Sequence, residues 1–300
     1  MGRGLHVLIV RAFILTAALL GGGIIAGAAR ADSGSPPLWQ LKGKNNSIYL
    51  LGSVHALRDA MQPLSASILH AYQDADVLYM EIDVDDLDPA EVQQFTVTNG
   101  LLPPEQTLAG LLGEERYGRA RSEAEKLGLD LDQLAQLEPW VVAISAVQAQ
   151  VLRLGLDPDA GVEQRLARDA KRDQKEIRGL ETVSDQLGIF DRLPLERQQD
   201  FLLMSLEEAI ELPTALDDMI DAWSRGDVEQ LAAIMSADFK AFPELYEPLV
   251  VARNRNWTRQ IIALLDDDTD YLVVVGALHL TGEDSVIQML HEQGYRAKRR

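Results

Sequence analysis

Asp270-Tyr271-Leu272-Val273-Val274-Val275-Gly276-Ala277-Leu278-His279 is the stretch that decides the fold, and Ser47-Ile48-Tyr49-Leu50-Leu51-Gly52-Ser53-Val54-His55 repeats its pattern near the other end of the chain. Each is an apolar, strand-like run followed by Gly-x-x-His. A buried strand carries the chain to one edge of a sheet, Gly permits a sharp turn there, and His is suited both to metal ligation and to proton transfer near neutral pH. A lone Gly-x-x-His is weak evidence, because such a His more often caps a loop or fills a core gap. Two in matching contexts point to a shared site.

Working outward, Leu38 to Lys42 and Ser47 to Leu51 read as a hairpin around Gly43-Lys44-Asn45-Asn46. A helix follows from about Ser65 to Asp74, then the strand Asp76 to Asp83; strand, helix, strand over this length is the signature of a parallel βαβ unit. Pro89 to Leu154 is mainly helical, with breaks at Gly100 through Pro104, Gly128 and Pro139. Gly161 to Arg172 is another helix, Lys175 to Leu180 a short strand, and Val183 to Leu265 helical again, punctuated by Pro194, Pro213, Gly226 and Pro243. The finish is a strand at 271–275, Gly-x-x-His, a helix from Gly282 to Glu292 and a strand from Tyr295 to Lys298. The expected fold is α/β: a mixed or parallel central sheet, a duplicated strand–GxxH–helix–strand core, and a large helical insertion over 89–265. Residues 38–300 are expected to form one domain.

The first 31 residues read as a secretory signal peptide, with Arg3 and Arg11 before or within an apolar stretch and Ala29-Arg30-Ala31 as the cleavage site; a retained membrane anchor is the bland alternative. Residues 32–37, Asp-Ser-Gly-Ser-Pro-Pro, are a flexible linker. Cleavage after Ala31 removes three Arg and no acid, so the formal charge of −19 becomes −22. That balance argues against nucleic acid as a partner. The chain has no Cys, which excludes disulfides and thiol catalysis. The expected location is the periplasm or the exterior, with no stable membrane span after cleavage; oligomeric state is not legible.

In parallel α/β sheets ligands bind beyond the carboxyl ends of the strands. His55, Glu81, Glu181 and His279 all sit at or just past a strand end, and they meet if those four strands are parallel neighbours. Two imidazoles with one or two carboxylates form a plausible shell for a divalent transition ion, which would activate water for hydrolysis. Glu81 follows a largely apolar run, so its carboxylate needs a cation, either a metal or an arginine such as Arg253 or Arg255. Glu181 reads equally as an N-terminal helix acid. Arg253-Asn254-Arg255-Asn256-Trp257 lies on a helix from Leu249 to Leu265, whose polar face reaches into the site or faces solvent. His70 and His291 fall on helices and read as structural. No nucleophile elbow, Walker loop or dinucleotide fingerprint is present.

Leu38-Trp39, the first Gly-x-x-His, Met80-Glu81-Ile82-Asp83, Gly155-Leu156-Asp157-Pro158 with Gly161-Val162-Glu163, Gly179-Leu180-Glu181-Thr182, Arg253-Asn254-Arg255-Asn256 and Gly276-Ala277-Leu278-His279 together resemble the TraB/GumN family. That family is related to the Tiki metalloproteases. The resemblance implies a duplicated α/β core and metal dependence of the Mn or Co type, with His55 and His279 matching the paired histidines of Tiki proteolysis and Glu81 its acidic residue. The resulting expectation is an exported metal-dependent hydrolase, a peptidase acting on a peptide or protein substrate. His55, Glu81 and His279 hold Mn, Co or Zn; Glu181 is a catalytic base or fourth ligand; Arg253 and Asn254 contact substrate. The alternative is a non-catalytic binding protein that sequesters a peptide or haem.

Overall fold

A computed structural model describes residues 36–54, 64–83, 89–155, 161–236 and 243–300. The expected signal peptide, His55 and most of the expected linker lie outside the described residues. In chain order the elements are β1 (Leu38–Lys42), β2 (Ser47–Ser53), α1 (Ala66–Asp74), β3 (Val77–Met80), α2 (Pro89–Asn99), α3 (Leu108–Lys126), α4 (Pro139–Arg153), α5 (Val162–Asp173), β4 (Glu176–Gly179), α6 (Val183–Asp191), α7 (Leu195–Arg225), α8 (Val228–Ser236), α9 (Pro243–Tyr246), α10 (Ala252–Ala263), β5 (Tyr271–Gly276), α11 (Val286–Glu292) and β6 (Lys298–Arg299). A π-helical turn, Glu247–Val251, joins α9 to α10, and a 3-10 turn, Ala277–Leu280, follows β5.

The six strands form one mixed sheet in the order β4-β3-β5-β2-β1-β6. β4, β3, β5 and β2 are consecutive and parallel, while β1 runs antiparallel between β2 and β6. β5 is buried along its whole length, as its unbroken apolar run requires of a strand covered on both faces. Its side chains alternate between two cores. Leu272 and Val274, with Tyr49, Leu51, Leu78 and Met80, face the larger helical layer, where Trp140, Phe201, Leu206 and Leu216 are buried. Tyr271, Val273 and Val275, with Ile48 and Leu50, pack on Trp257 and Ile261 of α10 and Val286 and Leu290 of α11.

The α/β class and the mixed sheet match the expectation; the duplicated core is not borne out. The first unit leaves β2 and returns one strand beyond β5, as β3, in the middle of the parallel set. The second leaves β5 and returns at the far edge, as the two-residue β6 beside antiparallel β1. Other differences are local. β2 runs on to Ser53, because β5 pairs with it through Gly276. α11 begins at Val286 rather than Gly282, where Ser285 caps it by accepting from the Gln288 N–H, and Gly282 takes φ +86°. Pro213 does not end a helix: α7 passes through it, held on either side by the buried residues Leu206, Ala209, Leu212 and Leu216.

Two glycines set how closely the strand ends approach. A Cβ on Gly52 would stand 3.1 Å from the Ala277 Cα, and a Cβ on Gly179 would stand 2.8 Å from the Asp83 backbone N and 2.9 Å from the Glu181 O. Gly179 thus lets the chains leaving β3 and β4 cross in contact. Gly179→Ala is expected to lower unfolding stability by about 1–3 kcal/mol through overpacking against backbone. Gly118→Ala, on an exposed turn of α3 with open space around its Cβ, is expected to raise it by about 0.5–1 kcal/mol. Urea unfolding of the two variants checks the opposite signs.

Candidate functional site

Parallel order brings the carboxyl ends of β3, β4 and β5 together, and the pairing continues past the strands. The Leu180 N–H donates to the Met80 O at 2.8 Å and the Glu181 N–H to the Glu81 O at 3.0 Å. Glu81 and Glu181 are therefore held side by side by backbone. The Gly276 N–H at the end of β5 donates to Glu81 Oε1 at 2.8 Å. His279 lies on the 3-10 turn just beyond, fully buried.

The cation that Glu81 requires is Arg253. Its Nη2 lies 2.6 Å from Glu81 Oε2 and 2.5 Å from Glu181 Oε1, and its Nε donates to both Glu181 oxygens at 2.9 and 3.1 Å. Nη1 donates to the Leu249 carbonyl, within the π turn, at 3.0 Å and lies 3.2 Å from His279 Nε2. The guanidinium also stacks 4.6 Å from the Trp257 ring, one helical turn along α10. Trp257 in turn lies 4.5 Å from the His279 ring. Gln186 completes the cluster from α6, donating at 2.6 Å to Glu181 Oε1 and 3.2 Å to Glu81 Oε2. The start of α6 is fixed by a reciprocal capping box between Thr182 and Asp185.

All three charged side chains are 6–7% exposed. Burial pushes the Glu181 carboxyl above its ordinary value, and the neighbouring Glu81 charge adds to this, against the opposing pull of Arg253 and Gln186. For Arg253, burial disfavours the charge, but Glu81 and Glu181 outweigh it and hold the guanidinium above its ordinary pKa. The cluster thus contains a fixed positive charge beside a carboxylate of raised basicity.

The structure brings together five of the expected site residues, Glu81, Glu181, Arg253, Asn254 and His279; Asn254, expected to contact substrate, places its Oδ1 2.6 Å from His279 Nδ1. Of the two arginines considered for Glu81, Arg253 takes the role; Arg255 is exposed and pairs with Glu247 at 3.3 Å. His70 and His291 are exposed on α1 and α11. Two carboxylates and an imidazole have the donor chemistry of a transition-metal site, yet they do not fit an ion while Arg253 is seated, because its N–H groups face both carboxylates and His279 Nε2. Among the described residues, no group of three or more His, Asp or Glu is arranged to hold a metal. Gln186, Trp257 and the Gly276 N–H were not legible as site groups. Trp257, four residues after Arg253 on a predicted helix, carried the one usable signal.

The TraB/PrgY/gumN family model matches residues 37–299, so the chain belongs to that family. It is 26% identical to YbaP of Escherichia coli K12, described as uncharacterized, over 82% of this chain and 88% of that protein. It is 28% identical to an uncharacterized protein of Treponema pallidum over 50% of this chain and 45% of that one. It is 23% identical to Metalloprotease TIKI2 of Xenopus tropicalis, covering 86% of this chain and 58% of that one. No solved structure matches. No described helix is long and apolar enough to cross a membrane.

Removing the guanidinium leaves two adjacent buried carboxylates without their cation. Arg253→Met is expected to destabilise the fold by about 3–5 kcal/mol at pH 7. Unpaired buried carboxyls have raised folded-state pKa values, so the deficit is lost as they protonate, and it should shrink as pH falls from 7 to 5. Urea unfolding at the two pH values tests this; an equal gap at both would mean the cluster is not what Arg253 stabilises.

Proposed function

We propose that this chain is an exported hydrolase acting on peptide bonds at the edge where β3, β4 and β5 end. The observation that carries the reading is the buried cluster of Glu81, Glu181, Arg253 and His279. A carboxylate of raised basicity beside a fixed cation and an imidazole is the equipment of general-base hydrolysis. The printed name of the Xenopus relative, a metalloprotease, supports peptide as the substrate class.

Within this reading Glu181 takes a proton from the attacking water, a role that the raised pKa given by its burial favours. Arg253 balances the negative charge that develops on the scissile carbonyl oxygen, and Glu81 holds Arg253 in place. His279 offers the second proton-transfer site, at Nε2. No step here passes through a metal.

A second reading is favoured by the same relative's name and by the donor chemistry: His55, Glu81 and His279 take a Mn, Co or Zn ion once the guanidinium has left its seat. One experiment addresses both. The chain lacking residues 1–31 is incubated with a defined set of synthetic peptides, in chelator and separately with each of the three ions, and the products are read by mass spectrometry. Cleavage in chelator, reduced at least a hundredfold in Glu181→Gln and His279→Ala, supports the metal-free mechanism; cleavage only with an ion supports the second reading. Recovery of every peptide intact under all conditions sinks the hydrolase proposal, and intact peptide retained in a stoichiometric complex makes the chain a binding protein. Export is checked by fractionating cells that express the full chain and sequencing the amino terminus of the recovered protein.

A further inference from the structure

We propose that Asn254 is a positioning residue that fixes the proton of His279 on Nδ1 and leaves Nε2 as the basic nitrogen of the site. Asn254 is fully buried, and both ends of its amide are engaged. Its Nδ2 donates to the Asp284 backbone carbonyl at 2.7 Å. A carbonyl can only accept, so the NH2 group must face Asp284 and Oδ1 must face His279. Oδ1 can only accept, so at 2.6 Å His279 Nδ1 must be the donor. The far side of the ring imposes the same answer independently. Arg253 Nη1, 3.2 Å from Nε2, has only hydrogens to offer, and Nε2 must present its lone pair.

The arrangement extends one shell further out. The Tyr246 hydroxyl donates to Asp284 Oδ2 at 2.8 Å, so the residue whose carbonyl orients Asn254 is itself tied to the end of α9. Tyr246 and Asn254 lie on opposite sides of the π turn, and His279 and Asp284 lie on the segment between β5 and α11. Three hydrogen bonds therefore bolt α9 and α10 to that segment and set the height of the imidazole against Arg253. Partners of this kind orient histidines through the nitrogen that does no chemistry, and losing one commonly costs ten- to a hundredfold in function. Asn254 acts through His279 and does not need to touch substrate.

The inference about chemistry rests on the proposed hydrolase reading; the tautomer does not. The test uses the full chain with 15N-labelled histidine and long-range 15N–1H correlation spectra, His279 being assigned by its absence in His279→Gln. A protonated, pyrrole-type Nδ1 and a pyridine-type Nε2 are expected. In Asn254→Ala the Nδ1 signal should shift or broaden, and peptide turnover should fall about tenfold or more in kcat with KM unchanged; Asn254→Asp, which keeps an acceptor, should restore the Nδ1 pattern. An Nε2-protonated ring in the wild type overturns the proposal. So does an Asn254→Ala variant whose His279 signals are unchanged and whose KM alone rises, the outcome of a direct substrate contact. Should Asn254→Ala not fold, Tyr246→Phe, which removes one outer hydrogen bond, is expected to perturb the same His279 signals more weakly, and unchanged signals overturn the outer chain. If no peptide is hydrolysed, the spectra still decide the tautomer.

Discussion

Two carboxylates buried against each other at the end of a sheet must have a cation, and most of this molecule's site follows from that requirement. Glu81 and Glu181 are pressed together by backbone hydrogen bonds that prolong the β3–β4 ladder beyond its strands. At 6–7% exposure the charges are poorly screened by solvent, and an unmatched buried charge costs several kcal/mol. Arg253 meets both with a guanidinium whose five N–H groups suit a fork of acceptors. Its remaining donors face the Leu249 carbonyl and His279, and its plane lies on Trp257. The position of α10 over the strand ends is thus dictated by charge as much as by packing.

The same constraint explains the backbone irregularities nearby. A π turn immediately precedes α10, and such turns are frequent at functional sites. Here the side chain of Arg253 donates to a carbonyl within that turn, linking the irregular backbone to the ion-pair cluster. Gly179 is needed because the two carboxylate-bearing chains cross in contact, and the Gly276 N–H ends β5 by serving Glu81 instead of a neighbouring strand. The strand ends, the turn and the helix are therefore parts of one charge-balanced assembly.

Much of the fold was legible because its signals are local. The unbroken apolar run 271–275 could hardly be anything but a buried strand, and Glu81 after an apolar run announced its own need for a partner. The alternative of an arginine or a metal stayed open for a physical reason: both meet the same electrostatic need, and nothing in the spacing of residues 81 and 253 says which sits closer. Pro213 misled because a helix breaker acts locally, whereas α7 is held by apolar contacts on either side of it. The matching Gly-x-x-His motifs suggested a duplication, but a motif of four residues says nothing of where the following strand returns. That is decided by which sheet edge remains unpaired, and the two units go to different places.

From sequence alone came the α/β class, the acidic and cysteine-free character, the strand-end placement of Glu81, Glu181 and His279, and the family to which these motifs belong. These are properties of runs and periods that neighbouring residues impose on one another. Only the tertiary structure decided that the four parallel strands lie in the order β4-β3-β5-β2, that Arg253 is the cation between the carboxylates, and that Asn254 and Gln186 bind His279 and the glutamates. Apart from the Gln186–Glu181 bond, those contacts join residues 25 to 172 positions apart, and burial gives them their strength. Both distance and burial exist only once the chain has folded.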